Sequence, residues 1–178
     1  MWCNSGYCVG SSSMLSTLGE DGETYKQVRI TSLKVGDKIE SRDKHNRRAP
    51  AEVTGLHRST ARGEYVRVVA HPQERKAGKL PHQLRALGIN RPNHHLEVEV
   101  TPHHTFPICG GGEKMAMRLK AGDCLFTIDG EASVASAHRV PAPASTETFT
   151  VELEQGRKVF VANGILTHAG TLPRGGGA

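Results

Sequence analysis

Cys8 is the side chain of this sequence best suited to covalent chemistry. It lies in the stretch GYCVGSSSML, just ahead of a predicted strand, among small residues that let the backbone bend sharply and expose a peptide bond. A cysteine thiolate is a strong nucleophile, but it needs a neighbouring base or proton relay and a site for the oxyanion. The surrounding serines supply none of these, so Cys8 alone would be an inert thiol.

Thr101 and His104 form a second candidate site, in the stretch EVTPHHTFPI. Pro102 follows the end of an alternating strand and predicts a turn, across which the threonine hydroxyl and the histidine ring can point at one outside group. An imidazole with a pKa of about 6.5 can give a proton to a leaving amide nitrogen at neutral pH. Taken alone, His103 or His104 would fit a turn residue that binds a backbone carbonyl.

The histidines raise metal binding as an alternative. His94 and His95 lie upstream of His103 and His104, but no supporting carboxylate or cysteine stands at ligand spacing. We therefore predict no metal and no cofactor. A His-rich metalloenzyme stays open as an alternative, and it should lose activity with a chelator.

The four cysteines are Cys3, Cys8, Cys109 and Cys124, and they lack the paired C-x-x-C spacing of zinc ribbons. A Cys3–Cys8 disulfide is geometrically possible, but a sequence cannot place two thiols, and we expect thiols here. Cys124, inside the apolar DCLFTI, is expected to be a small buried hydrophobe.

The stretch VFVANGILTHAG, residues 159–170, is a hydrophobic strand that passes Asn163 and ends at His168. Ala169 and Gly170 follow, and neither has a side chain that can react. A histidine at a strand end beside two inert residues needs an explanation.

Composition limits what these residues can belong to. A chain of 178 residues suits one domain with a sizeable core, and its net charge of +5 is modest for a dedicated nucleic-acid binder. Aromatic residues make up only 4%, so stacking platforms for single strands are scarce. No apolar run reaches about 18 residues, and the start MWCNSGYCVG lacks the regions of a signal peptide. We expect a soluble monomer that acts without nucleic acid or membrane.

Alternating strand patterns predict a mostly β protein, and one module occurs twice. SLKVGDKI, AEVTGLHRS and EYVRVV are matched in the same order by RLKAGDCL, ASVASAHRV and ETFTVE. Gln155-Gly156 predicts a hairpin between two strands. Residues 71–95 interrupt the pattern and predict a basic insertion with a short helix, and the last residues predict a flexible tail.

Taken together, these segments resemble the Hint fold of inteins, bacterial intein-like domains and hedgehog autoprocessing domains over nearly the whole chain. Cys8, followed by Ser13 and Leu15, is similar to the family's opening, where a Thr and an aliphatic residue follow the Cys. LKVGDKI resembles its Gly-Asp turn, VTPHHTF its Thr-x-x-His motif and VFVANGILTH its closing strand. The resemblance implies a β horseshoe of two pseudo-symmetric halves, built by a single mini domain over residues 8–169 with flanking segments 1–7 and 170–178.

The resemblance implies that Cys8 attacks the carbonyl of Tyr7 and converts that peptide into a thioester. His104 would protonate the leaving nitrogen, while Thr101 would hold it and donate to the oxyanion. The domain would act in cis on its own flanking polypeptide. This is single-turnover autocatalysis that leads to cleavage or splicing.

The same resemblance explains the end of the chain. Inteins close on His-Asn, and here His168 is followed by Ala169, which cannot cyclise, and by Gly170, which offers no acceptor nucleophile. Two explanations stay open. One is an engineered replacement of Asn by Ala, which the likeness of ANGILTH to an Asn-ending strand favours; the other is a natural hedgehog-type domain that passes its thioester to an external nucleophile.

Three residues are secondary candidates. Thr148 stands where the family often carries an Asp that assists the chemistry, and Ser13 and Asn163 lie in the opening and closing motifs. An alternative of another class is a basic β-barrel that binds nucleic acid through the insertion. It would predict steep salt dependence and indifference to Cys8.

Overall fold

The structure is a computed structural model that describes residues 7–60, 63–73, 95–128, 130–142 and 146–172. These residues form strands and two short 3₁₀ turns, Ile30–Ser32 and Ala116–Arg118, which confirms the predicted mostly β class. Within the described ranges, no helix has the length and apolar character needed to cross a membrane. The predicted insertion helix falls in residues 74–94, outside the described residues.

The strands are β1 (Val9–Gly10), β2 (Met14–Leu18), β3 (Tyr25–Arg29), β4 (Lys38–Arg42), β5 (Arg48–Thr60), β6 (Glu64–Pro72), β7 (Leu96–Val100), β8 (Thr105–Pro107), β9 (Glu113–Met115), β10 (Cys124–Phe126), β11 (Glu131–Pro141), β12 (Glu147–Leu153), β13 (Val159–Ala162) and β14 (Ile165–His168).

The main sheet is built from two related halves. Its strand order is β10-β11-β6-β7-β1-β12-β5-β4-β13-β14, with β2 and β3 attached beside β4, and β8 and β9 form a separate pair. The first eight strands of this order are symmetric about their midpoint. Counted inward from one end they are β10, β11, β6 and β7, and counted inward from the other end their counterparts are β4, β5, β12 and β1. The pseudo-two-fold axis therefore passes between β7 and β1, where Val9 faces Val100.

The sequence repeat reappears as matching turns. The backbone N–H of Asp37 donates to the carbonyl of Lys34, and that of Asp123 to the carbonyl of Lys120, both at 3.1 Å. In return, the N–H of Lys34 and that of Lys120 each donate to the side chain of their aspartate at 2.9 Å. These aspartates therefore fix turns in both halves.

The turn that carries His104 also has a counterpart in the first half. The N–H of His104 donates to the carbonyl of Thr101 at 3.0 Å, and the N–H of Ser13 donates to the carbonyl of Gly10 at 3.1 Å. Each turn follows a strand at the pseudo-two-fold axis. The repeat thus places Ser13 and His104 at equivalent positions.

Three phenylalanines anchor the elements around this axis. Phe106, Phe149 and Phe160 are each at most 1% exposed and belong to one hydrophobic cluster that runs through both halves. Burial of such a side chain contributes about 1.5–3 kcal/mol. Because they lie on β8, β12 and β13, they pack these three strands into one core.

The predicted hairpin at Gln155-Gly156 is wrong. β12 pairs with β1 on one edge and β5 on the other, so β13 finds no free edge there and pairs with β4 and β14 instead. The hairpin forms one turn later, between β13 and β14. Asn163 (φ 50°) and Gly164 (φ 82°) adopt the left-handed conformation that an Asn-Gly hairpin turn uses.

A disulfide joins Cys109 to Cys124, which corrects the expectation that Cys124 is a buried thiol. It attaches the end of β8 to the start of β10, beside the bridge between Ile108 and Leu125. The short β8–β9 pair is thereby tied to the main sheet.

Removal of this disulfide should lower stability. The Cys109→Ala/Cys124→Ala variant should lose about 3 kcal/mol of unfolding free energy in urea denaturation, because the bridge spans a sequence separation of 15 and restricts the unfolded chain. With tris(2-carboxyethyl)phosphine (TCEP) present the parent loses its bridge too, and the two proteins should then unfold alike. A difference that persists in reductant would assign the loss to the alanines.

Candidate functional site

Cys8 lies at the pseudo-two-fold axis, immediately before β1. Because β1 is inserted between β7 and β12, the residue before it is flanked by the end of one strand and the middle of the other. The N–H of Thr101 donates to the carbonyl of Cys8 at 2.9 Å, and Cys8 is fully buried. The candidate nucleophile is therefore held on both sides by the sheet.

Thr101 binds the backbone of Cys8 with its side chain. Its hydroxyl accepts a hydrogen bond from the N–H of Cys8 at 3.2 Å and donates one to the carbonyl of Cys8 at 3.3 Å. The sequence predicted that Thr101 holds the scissile nitrogen and also donates to the oxyanion. Both recorded side-chain bonds of Thr101 are to Cys8, and both roles remain predictions.

His104 is completely buried beside the same peptide. Its ring lies edge-on to that of Tyr7, with 5.9 Å between centroids, and its Nε2 bonds the Thr167 hydroxyl on β14. Within the described residues, Nδ1 has no partner of full hydrogen-bond geometry. The predicted turn does bring Thr101 and His104 together at one group, the backbone of Cys8.

Burial changes the acid–base behaviour of His104. Loss of solvation and, to a smaller extent, the nearby His168 lower its pKa, while the backbone of Cys8 raises it; together they hold the pKa at about 3. The ordinary pKa expected from the sequence is therefore wrong. At neutral pH the ring is uncharged, so it begins as a base and becomes a strong acid once it is protonated.

His168 is bound by the element that carries His104. Its Nδ1 lies 2.8 Å from the Thr105 hydroxyl and 3.5 Å from a carboxylate oxygen of Glu113. Burial lowers the pKa of His168, and Glu113 opposes that shift. His104 thus bonds Thr167, and its neighbour Thr105 bonds His168. These two bonds link the predicted reaction centre at Cys8 to the one at residue 169.

Hydroxyl groups surround the Cys8 sulfur. Thr150 Oγ1 lies 3.0 Å from it and Ser59 Oγ 3.9 Å. Thr148, the sequence candidate, bonds Ser59 Oγ at 2.8 Å and reaches the sulfur only through it. Thr150 is the contact that the sequence missed, although it lies on the same face of β12 two residues later.

The sulfur of Cys8 is itself in a disulfide. Its partner lies outside the described residues. This finding replaces the expectation of a thiol at position 8 in the state observed. The sulfur must be reduced before it can act as a nucleophile.

The chain returns to Cys8 after β14. The N–H of Ala169 donates to the carbonyl of Lys158 at 2.8 Å, and that of Gly170 donates to the carbonyl of Val151 on β12 at 2.9 Å. A Cβ added at Gly170 would lie 3.5 Å from the carbonyl oxygen of Tyr7. The two ends of the predicted domain therefore meet at one peptide.

The secondary candidates Ser13 and Asn163 contact other elements. Asn163 binds the N–H of Met14 at 2.7 Å and the carbonyl of Glu97 at 2.8 Å, and so fixes the β13–β14 hairpin against β2 and β7. Ser13 is buried, and its hydroxyl has no partner among the described residues. Neither has a recorded bond to Cys8, so Asn163 is a structural residue here.

A cleft of about 840 Å³ opens at the meeting point. It is lined by Tyr7, Thr105, His168, Ala169 and Gly170, and by charged side chains among residues 152–158. Water or a small molecule could therefore approach the carbonyl of Tyr7 from this side.

Metal donors cluster away from this site. Among the described residues, the group of three or more potential metal donors consists of Cys109, Cys124 and Glu131, in which the two sulfurs are bonded to each other. The metalloenzyme alternative gains no support from these residues.

No protein-family model and no curated protein matches the sequence. Solved structures do resemble it: a bacterial intein-like domain from Clostridium thermocellum aligns at TM-score 0.66 and 16% identity, over 91% of this chain and 98% of that one. A DnaB intein from Synechocystis sp. PCC 6803 aligns at 0.62 and 19%, over 91% and 97%. The gp41-1 intein aligns at 0.58 and 18%, over 90% and 97%. These similarities show that the chain has the Hint fold of two related β halves, as the sequence predicted.

Stability should fall on acidification because of His104. The unfolded chain binds a proton at this residue near pH 6.5 and the folded chain only near pH 3, so between these values the unfolded state holds more protons. Urea denaturation should show stability falling by up to about 1.4 kcal/mol per pH unit from this residue.

The His104→Gln variant should flatten this slope, whatever its stability at pH 7. The matched control is His103→Gln, which changes an exposed neighbour and should leave the slope as it is. Equal slopes in all three proteins would contradict the assignment to His104.

Proposed function

We propose that this chain is a self-processing domain that rearranges the Tyr7–Cys8 peptide into a thioester. The observation that carries the proposal is the convergence on this peptide: Thr101 binds the nitrogen side, His104 packs edge-on against Tyr7, and Gly170 lies at the carbonyl side. These groups come from widely separated parts of the sequence. The likeness to inteins supports the same chemistry.

The rearrangement follows from the state of His104. After reduction, neutral His104 takes the proton of the Cys8 thiol, and the sulfur attacks the carbonyl carbon of Tyr7. When the carbon–nitrogen bond breaks, the imidazolium gives that proton to the departing nitrogen. Because burial disfavours the charged ring, the imidazolium passes its proton on at this step.

Thr101 positions the nitrogen that leaves. Its hydroxyl accepts from the N–H of Cys8 while donating to the carbonyl of the same residue, so both polar groups of Cys8 are fixed from one side chain. The residue is 8% exposed, so water competes little for these bonds. The nitrogen that leaves is thereby held in a fixed position next to the buried histidine.

The second junction lacks the groups for release. Ala169 has no amide nitrogen with which to attack its own carbonyl, and Gly170 offers no hydroxyl or thiol to the thioester. His168, bound by Thr105, stands beside the peptide that such an attack would break. Cleavage before Cys8 is therefore the reaction that this sequence supports.

A second candidate is transfer of the acyl group to an external nucleophile, as in hedgehog-type processing. The cleft lined by Tyr7, Ala169 and Gly170 favours it, because a small nucleophile could enter there. The nucleic-acid alternative relies on the basic insertion, which lies outside the described residues. No contact of the described part of the chain favours it.

Chemical cleavage tests the first step. The protein is reduced with TCEP, which is not a nucleophile toward thioesters, and hydroxylamine is then added. Intact mass should show release of residues 1–7 as a peptide hydroxamate. Without reductant the yield should be low, because Cys8 is in a disulfide.

Variants make this test specific. Cys8→Ala should release nothing at this junction, and His104→Ala should slow release at least about a hundredfold, the usual contribution of acid–base catalysis. Any hydroxylamine cut at Asn163-Gly164 persists in Cys8→Ala and gives a different fragment. Release that survives Cys8→Ala would sink the proposal.

Restoring an amide at position 169 should restore the second cut. In Ala169→Asn the side-chain nitrogen can attack its own carbonyl, and mass spectrometry should show loss of residues 170–178 with a succinimide on the remaining chain. Ala169→Asp is the matched control, since it has the same shape without that nitrogen. In the restored protein, His168→Ala should slow the cut about a hundredfold; equal rates would remove His168 from the reaction.

A further inference from the structure

We infer that Thr150 decides the outcome of self-processing, because its hydroxyl holds the Cys8 sulfur while its methyl group closes the acceptor position at residue 170. The inference rests on the proposed function and extends it. It assigns to one buried side chain the exclusion of an acceptor side chain at position 170.

The two branches of Thr150 face the two reaction partners. Oγ1 lies 3.0 Å from Cys8 Sγ. On the other side, a Cβ built at Gly170 would lie 2.5 Å from Cγ2 of Thr150, a distance that real Cβ atoms essentially never show. The same Cβ would lie 3.5 Å from the carbonyl oxygen of Tyr7, so the excluded position is the one from which an acceptor would attack.

The exclusion is steric. Gly170 does not have the left-handed backbone that would itself demand glycine. Its N–H is fixed on the carbonyl of Val151, the residue after Thr150, so the backbone cannot move away without losing that bond. A side chain at position 170 therefore depends on movement of Thr150.

Thr150 cannot move without disturbing the nucleophile. It is 2% exposed on β12, whose two edges are paired with β1 and β5. A β-branched side chain has few χ1 states, and rotation that removes Cγ2 from Gly170 also removes Oγ1 from the sulfur. Nucleophile positioning and acceptor exclusion are thus coupled in one rotamer.

With room at position 170, the remaining chemistry of splicing is available. A serine Oγ there attacks the Tyr7 thioester carbon, the carbon–sulfur bond breaks, and the hydroxyl proton passes to the Cys8 thiolate. An asparagine at position 169 then attacks its own carbonyl with its side-chain nitrogen. The peptide to residue 170 breaks, its amine takes the proton, and the ester shifts to the freed amine as an amide.

The test uses the Ala169→Asn protein after reduction with TCEP. Gly170→Ser in this background supplies the acceptor, and it is compared with the same protein carrying Thr150→Ser, which keeps the hydroxyl and removes Cγ2. Mass spectrometry measures the peptide that joins residues 1–7 to residues 170–178. Thr150→Ser should raise the ratio of joined to cleaved product at least tenfold.

Thr150→Val is the matched control, because it keeps the methyl groups and loses the hydroxyl. It should leave the ratio of joined to cleaved product at that of Gly170→Ser alone, and it should slow hydroxylamine release of residues 1–7. If the ratio of joined to cleaved product is the same with threonine and with serine at position 150, and both proteins release residues 1–7, the inference is overturned. The proposed function would still stand. Failure of every protein to release residues 1–7 would instead overturn the proposed function.

A stability measurement tests the same inference even if some of these variants fold too poorly to react. Gly170→Ala should lower the unfolding midpoint of the parent, and Thr150→Ser should recover most of that loss, since the added methyl meets Cγ2. Additive effects of the two changes would place the clash elsewhere, for example at Tyr7 Cβ, which the added atom approaches to 3.1 Å. That result would also overturn the inference.

Discussion

The pairing of a two-residue strand, β1, between β7 and β12 is the interaction on which the site depends. Val9 faces Val100 on one side and Phe149 on the other, so Cys8 is carried to the end of β7 and the middle of β12 together. Thr101 then binds the backbone of Cys8, and Thr150 contacts its sulfur. A strand this short has little pairing energy of its own, and the buried valines and Phe149 supply the packing that keeps it in place.

Burial of the two histidines connects local chemistry to the stability of the whole sheet. His104 and His168 exchange partners with Thr167 and Thr105, so the turn after β7 and the strand β14 fix each other. Each hydroxyl satisfies a ring nitrogen that burial would otherwise leave unbound, which is costly. Burial lowers the pKa of both rings. A site arranged to keep histidine neutral is therefore also the part of the fold that acid disturbs.

Much of this could be predicted from the sequence, and the failures share one cause. The repeat and the alternating strands indicated two β halves, and the Pro102 turn placed Thr101 beside His104, because both signals are local. The choice between Thr148 and Thr150 depends on the register between β1 and β12, which two residues of strand do not reveal. The Cys109–Cys124 disulfide and the hairpin at Asn163 likewise depend on which strand edges are free. The lowered pKa of His104 depends on burial, which its motif does not encode.

The candidate site lies where the internal symmetry is broken. The equivalent turns carry Ser13 in one half and His104 in the other, and both side chains are buried. The β13–β14 hairpin has no counterpart in the matched strand order: β13 pairs with β4 of the first half, while Thr167 on β14 reaches His104 of the second. The β13–β14 hairpin gives His104 a hydrogen-bond partner, whereas the hydroxyl of Ser13 has none among the described residues. The hairpin also returns the chain to β12 at Gly170. A duplicated sheet supplies two equal turns, and the hairpin makes one of them a place where both ends of the domain meet.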